Sequence, residues 1–471
     1  MSLRSQVNGL LLRYQGTARY KTALAAITGS ALIGAMIGWM SWELPNRGFP
    51  VWLALSVPFI FLAVIFVGLK NYDSLVIITF CLIGFVRIEP APFDFLFFIT
   101  FGLGIVRGKL RWPATIRHRV LQIGLWGFLL ANLLSTVGVV PIDHSVRFLI
   151  ITIYGFVICL YVLMYAEQAG SLDPVVYGYL ISAVVSASLA VLGILDIGST
   201  GGYFTESGVR ARAFFKDENV FAPFLIPPLL ILVDRMVHRK LKLRSGISHT
   251  LVIFLLIAGV VLSFSRAAWI NLVISLLIWF LILLPSMPRE KKIRLLCSAL
   301  AMFVIIILVI QLGGFGEFVL QRWSVKSYDE ERFRNQAAGV IFGLSSPFGL
   351  GPGNWPSSHS LYSRTLAEQG LMGFATLGVI LVGLLTGLFG SILKNAGNEG
   401  TSLPARVLFA SLVGQMTNSI VIDSIHWRHL WLLIGLVWAT LELSSVKIQK
   451  QGDSKISANG RIYGGVIHPH R

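Results

Sequence analysis

Apolar runs of roughly 15–25 residues recur along nearly the whole chain, and they constrain the fold more than any other feature. A helix needs about 20 such residues to cross the hydrocarbon core of a bilayer. Inside that core every backbone N–H and C=O must find its partner within the protein, which leaves helices or closed barrels. The runs are too long and too continuous for barrel strands. They fall at 22–41, 51–69, 74–87, 93–107, 120–140, 146–165, 174–197, 220–234, 249–265, 268–284, 295–313, 371–393, 405–422 and 428–444. The short pair 74–87 and 93–107 can be read as re-entrant or as one broken helix, so twelve spans fit as well as fourteen. The expected fold is therefore all-α, a polytopic membrane helical bundle of about 12–14 spans. Only 13% of the residues are charged, against about 25% in ordinary globular chains, so a separate soluble domain is not expected.

The net charge of +17 raises the question of nucleic acid, and its placement answers it. With the N-terminus inside and the spans alternating, about two thirds of the lysines and arginines fall on the cytoplasmic side, as the positive-inside rule requires. RGKLRWPATIRHR, RMVHRKLKLR and REKKIR are the clearest inside segments. The charge then orients the chain and attracts anionic lipid. It is not interleaved with exposed aromatics as a nucleic-acid module would need, and no nucleic-acid partner is expected. Both termini are expected in the cytoplasm. The first span is expected to double as the insertion signal, and the polar tail 446–471 to be disordered. Cys81, Cys159 and Cys297 each lie within an apolar run at no metal spacing, and read as small buried residues.

The alternation divides the chain into an N-terminus (1–21), a first transmembrane bundle (22–197), a transmembrane region carrying an Arg-bearing outer loop (198–313), a large outer loop (314–370), C-terminal transmembrane helices (371–445) and the tail. The two longer outer loops hold the chemistry. The first, GGYFTESGVRARAFFKDENVFAPF, sets Arg210 and Arg212 two apart, then Asp217 and Asn219 at the mouth of the next span. Arginines outside oppose the orientation rule, and their planar fork of donors suits phosphate; a solvated loop end is the plainer reading. In LSFSRAAWINL, Arg266 stands between two apolar runs. A charge there is costly and points to function, with a snorkelling hairpin tip as the plainer alternative. In SYDEERFRNQAAGVIFGLSSPFGLGPGNWPSSHS, residues 331–344 suit a short amphipathic helix lying on the membrane. GLGPGNWP is a turn cluster, and it lacks the Lys-Ser/Thr pair of a nucleotide P-loop. His359 follows. If a helix starts at 361, His359 sits at its N-terminal end, and Arg364 and Glu368 share one face. A neutral imidazole there could take a proton from a hydroxyl. The outer acids Asp143, Asp329 and Asp423 are expected to stand apart, so no metal is predicted.

HSLYSRTLAEQGLMG resembles the signature of the O-antigen ligase and polymerase superfamily: His359, Ser360, nine residues, Gly370, two residues, Gly373. LSFSRAAWINL resembles that family's Ser-Arg-small segment, on Arg266. RARAFFKDENVFAPF resembles its Arg…Phe…Asp-Pro-Asn stretch, on Arg210, Phe215, Asp217 and Asn219, with Glu218 in place of the usual Pro and Ala213 where Gly is common. EERFRNQAAGVIFGLSSPFGLGPGNW resembles the Arg-bearing loop helix and the glycine turn after it, with Arg332 as the match. The four segments, in the family's order, cover about residues 200–390.

The resemblance implies a C-type glycosyltransferase-like bundle in the bacterial inner membrane with a large periplasmic loop and a periplasmic active face. The donor would be an undecaprenyl-diphosphate-linked glycan and the acceptor a sugar hydroxyl, on another glycan or on lipid A core. His359 would be the base, and Arg210, Arg266 and Arg332, with Arg212 secondary, would hold the diphosphate. Transfer would invert the anomeric carbon and use no metal or other cofactor. A chain-length regulator would be a partner of a polymerase. Transfer to protein Ser/Thr and a flippase of lipid-linked oligosaccharide are the competing functions. A transporter would be expected to show ionisable groups at the bilayer midplane and internal repeats, and neither stands out in the sequence.

Overall fold

A computed structural model describes residues 66, 68, 70–113, 116–238, 243–312, 314, 316–323, 327–356, 359–394 and 403–462. In chain order the elements are α1 (Tyr72–Cys81), α2 (Pro92–Val106), α3 (Arg119–Ser135), α4 (Ile142–Ala169), α5 (Asp173–Ile194), α6 (Gly201–Phe204), β1 (Thr205–Glu206), β2 (Arg210–Ala211), α7 (Glu218–His238), α8 (Leu243–Leu262), α9 (Arg266–Leu283), α10 (Arg289–Leu312), α11 (Gly316–Trp323), α12 (Ser327–Ser345), α13 (Leu361–Lys394), α14 (Ala405–Asn418) and α15 (Arg428–Ile462). Every apolar run within the described residues coincides with a helix; the expected spans 22–41 and 51–69 lie almost wholly outside them. Among the described residues five helices are long and apolar enough to cross a membrane: α4, α5, α7, α9 with its extension to Ser286, and α13. The protein is an all-α membrane protein, with one two-residue hairpin in which Glu206 faces Arg210.

The chain divides into two compact units. One comprises Met1–Arg111, Asp173–Leu232 and Leu241–Ser265; the other Trp112–Leu172, Val233–Lys240 and Arg266–Arg471. In the first, α5 packs on α1 and α8. Gly178 makes this possible, since a Cβ there would lie 2.6 Å from the Ile77 carbonyl oxygen. The proline-bearing helix α7 shows how broken backbone bonds are made good in a membrane fold. Pro228 has no N–H to give the Phe224 carbonyl one turn back, and the buried Tyr179 hydroxyl donates to it instead (2.7 Å).

In the second unit α13 is central, packed by α3, α12, α14 and α15, while α4 packs on α15 and α9 on α14. Close approach again falls on small residues: a Cβ on Gly435 would sit 3.1 Å from the Cys159 backbone. At one end of α9 and α14 a buried ion pair ties three helices. Asp234 accepts from Arg406 Nε (2.6 Å) and Nη2 (3.0 Å) and from the Trp279 indole (2.9 Å).

Two expectations are corrected. The segment after 446 is helical to Ile462 rather than disordered, because its Lys, Gln and Ser residues extend a helix already nucleated by an apolar segment. Cys297 is exposed on α10 and Cys81 half-buried on α1 rather than buried, while Cys159 is buried as expected.

Candidate functional site

The sequence-predicted residues divide between the two units: Arg210, Arg212 and Asn219 belong to the first, and Arg266, Arg332, His359, Ser360, Gly370 and Gly373 to the second.

In the first unit the arginine loop is a local construction. Arg212 pairs with Glu206 across the hairpin, and Arg210 pairs with Glu218, the first residue of α7. Glu218, where the resembled family has Pro, is thus the carboxylate that holds Arg210, at a helix end whose dipole favours an acid. Arg210 Nε also donates to the Ser263 carbonyl (3.3 Å). Asn219 accepts from the Ser265 hydroxyl (2.7 Å) and donates to Asp217 (2.9 Å). Phe215 is buried between Phe221 and Phe224. Ala213, where Gly is common in that family, has φ +49°, the left-handed region that glycine adopts without penalty.

In the second unit Arg266 opens α9, and both oxygens of the buried Asp329 accept from its Nη2 (2.7 and 2.9 Å). Asp329 is thus the acid that holds Arg266. Arg332, one turn further along α12, lies over the Tyr328 ring at 5.0 Å. The structure therefore brings Arg266 and Arg332 to the first turns of one helix. That helix runs over Ser327–Ser345 and includes the expected 331–344. Gly339 and Gly343 face α13, since a Cβ on either would collide with Ser363 or Leu366, and Phe333, Val340, Ile341 and Leu344 are exposed.

His359 precedes α13 and is half-buried, with φ +49°, an unusual backbone for a residue with a Cβ. Ser360 is the N-cap of α13: its hydroxyl oxygen accepts from Ser363 N (3.4 Å). The signature's second position is thus a capping residue, and His359 stands at the helix N-terminal end as the spacing predicted.

The signature glycine Gly370 is a break in α13, at φ +66° and ψ −166°. In an unbroken helix Leu371 N would donate to Ala367 O, and Met372 N to Glu368 O. Here the two carbonyls accept from Leu350 N (3.0 Å) and Gly351 N (2.9 Å), while the two N–H groups donate to Ser346 O and Pro347 O (both 3.3 Å). All four groups that the break exposes are taken up by the glycine turn before His359. Gly349, Gly351 and Gly353 all have positive φ, and a Cβ on Gly349 or Gly370 would run into the opposite backbone. The glycines cradle a broken helix rather than a phosphate. Gly373, beyond the break, lies where a Cβ would collide with Gln369.

Arg364 and Glu368 do share a face: Arg364 Nε donates to Glu368 Oε1 (2.8 Å), and Glu368 is 1% exposed. Arg364 also pairs with Asp423, a contact the sequence reading missed. Around this pair lie Phe148, with Arg364 5.2 Å over its ring, and His426 and His144, each 4.9 Å from that ring. His144 Nε2 bonds the Gly353 carbonyl (2.9 Å), and Asn354 donates to Ser145 (2.7 Å), so α4 pins the glycine turn. These residues come from sequence-distant segments, and no spacing could reveal them. Burial would raise the Asp423 carboxyl, but the Arg364 guanidinium, with His426, outweighs it and holds it below the usual range. Burial drives His426 down to about 4, against the pull of Asp423, so its imidazole is neutral near pH 7. Among the described residues no three His, Cys, Asp or Glu side chains gather as metal ligands. The chain matches no family model and no curated protein.

Proposed function

We propose that this chain is an integral-membrane glycosyltransferase that moves a glycan from undecaprenyl diphosphate to an acceptor sugar hydroxyl, as a polymerase or ligase of bacterial surface polysaccharide. The observation that carries the reading is the construction around His359. His359 stands in a left-handed backbone at the head of α13, a helix start built up by the Ser360 cap, the Arg364–Glu368–Asp423 cluster and the backbone exchange at Gly370. Such expensive local geometry collects at functional sites. In the proposed step His359 takes the acceptor hydroxyl proton, and the oxygen attacks the anomeric carbon. The carbon–oxygen bond to the diphosphate breaks, and undecaprenyl diphosphate leaves with its charge against arginine. Arg266, steadied by Asp329, and Arg332, one turn further along the helix that carries Asp329, supply cations of the kind that stabilise a developing anion. Arg210, steadied by Glu218, and Arg212 supply the same chemistry in the first unit. The exposed apolar face of α12 suits the lipid surface from which such a donor would come.

The test is deletion of the gene in its host, followed by complementation. Deletion should remove long-chain surface polysaccharide, and wild type should restore it. His359→Ala should cost roughly a hundredfold or more in transfer, the usual worth of a positioned base. The product that disappears distinguishes polymerase from ligase. Full complementation by His359→Ala would overturn the mechanism. Accumulation of lipid-linked repeats on the cytoplasmic face would favour a flippase instead.

A further inference from the structure

The contact between α9 and α14 carries polar groups among its apolar ones. Trp279 of α9 and Arg406 of α14 meet at Asp234, and Gly414 lies against Asn271 and Ser275, where a Cβ would strike them. As α14 advances from 406 to 414, its partner positions on α9 recede from 279 towards 271, so the helices run antiparallel. One turn further out, this register sets Asn418 level with residues 267–271, in the turn that follows Arg266. The other side of Asn418 is fixed as well. Leu361 N donates to Ser419 O (3.0 Å) and the Tyr362 hydroxyl to Met416 O (2.9 Å), so the end of α14 is bound to the start of α13, just after His359.

Polar side chains within a membrane bundle normally satisfy one another. Along this seam Asn271 accepts from Ser275 (3.0 Å) and Gln415 donates to Ser419 (3.4 Å). Ser411 has no partner for its hydroxyl, but a helical serine can turn onto its own preceding carbonyl. Asn418 differs from these. It is 1% exposed, and among the described residues it is the one side chain whose two polar atoms are both buried without a hydrogen-bond partner. An amide has two donors and an acceptor oxygen with two lone pairs, and burying it unmet is costly. A group that both gives and takes hydrogen bonds fits a hydroxyl rather than a diphosphate, which only accepts.

We propose that Asn418 is a sugar-binding residue, its amide exchanging hydrogen bonds with a hydroxyl of the glycan held between the starts of α9 and α13. This rests on the glycosyl-transfer reading above. It adds a recognition group for sugar, on α14, to a site otherwise described by its arginines and histidine.

The experiment uses the full-length protein in detergent, with undecaprenyl-diphosphate-linked glycan extracted from the host as donor and the host's glycan acceptor. It compares wild type, Asn418→Leu, Asn418→Asp and His359→Ala. Leucine removes the unmet amide at similar size. Asn418→Leu should therefore keep or raise the Tm while raising the KM for one sugar substrate at least tenfold. Whether the donor or the acceptor KM rises identifies the sugar that Asn418 holds. Asn418→Asp, which still accepts, should fall between. If Asn418→Leu has wild-type KM values while His359→Ala is inactive, the inference falls and the glycosyl-transfer reading stands. If the Tm of Asn418→Leu drops together with its activity, the amide is structural, held by buried water, and the inference is overturned. If His359→Ala is as active as wild type, the catalytic reading fails first, and this inference with it.

Discussion

In the first unit Arg212 reaches Glu206, six residues away, and Arg210 reaches the nearby Glu218. In the second, Arg266 reaches Asp329 across 63 residues and Arg364 reaches Asp423 across 59. Both regions hold guanidinium groups rigidly with buried or half-buried acids, but by different means. The ion pairs of the first region close between the hairpin and the first residue of α7, with Ser263 as a further, distant partner of Arg210. The histidine region needs four separated segments to arrive together: α4, the glycine turn, α13 and the loop after α14. A local device should tolerate substitution one residue at a time, whereas a convergent one should fail as a unit.

The largest expected effect is therefore at the helix break. Gly370→Ala places a Cβ against the Pro347 carbonyl at a φ and ψ that only glycine adopts, and should cost roughly 3 kcal/mol or more. Size-exclusion profiles and Tm in detergent would show it, and a wild-type Tm would refute the exchange of backbone bonds described here. Next is Arg364→Ala. It leaves Glu368 buried without its cation, and removing one partner of a buried pair costs about 3–5 kcal/mol. Arg210→Ala should cost less, about 1–2 kcal/mol, because Glu218 keeps the favourable field of the α7 N-terminus. Its Tm should fall by less than that of Arg364→Ala in the same melt. Equal Tm losses for Arg364→Ala and Arg210→Ala would show that the two regions depend on their ion pairs alike.

Acid should act on the convergent region. His426 is held at about 4 when folded, whereas an unfolded histidine titrates near 6.5. As the pH falls from about 6.5 towards 4, the unfolded chain takes up a proton that the folded one refuses, and stability declines. The depressed Asp423 carboxyl adds a further loss as pH falls from the ordinary carboxylate value through its own lower one. Tm measured from pH 7.5 to 4.5 should drop, and His426→Asn should flatten the upper part of that drop. The smallest effect is Ala213→Gly, two residues beyond the hairpin. It relieves a left-handed alanine and should be neutral or stabilising by up to about 1 kcal/mol, read by the same melt.

Much of this molecule was legible along the chain. Apolar runs gave helices wherever the structure describes them, because membrane burial and helix geometry act on consecutive residues. The placement of His359 ahead of a helix, the Arg364–Glu368 face and the α12 helix were legible for the same reason, since capping and i, i+4 spacing are local. The partners of Asp329 and Asp423 could not be read from the sequence. Nor could the glycine turn be matched to Gly370. A run of glycines states only that unusual backbone is permitted, and it does not say which orphaned carbonyls that backbone will meet.

From the chain alone came the helical membrane class, the apolar helices among the described residues, and which arginines and histidine lie outside the apolar runs. The tertiary structure alone decided that Gly370 breaks α13 and that residues 346–351 heal the break. It also decided that Asp423, His426 and Phe148 surround Arg364, and that Asn418 is left with its amide unmet. The physical reason is distance along the chain. Hydrophobic periodicity and capping are written in neighbouring residues, whereas hydrogen-bond exchange and buried ion pairs depend on which remote segments the packed helices bring within 3 Å of each other.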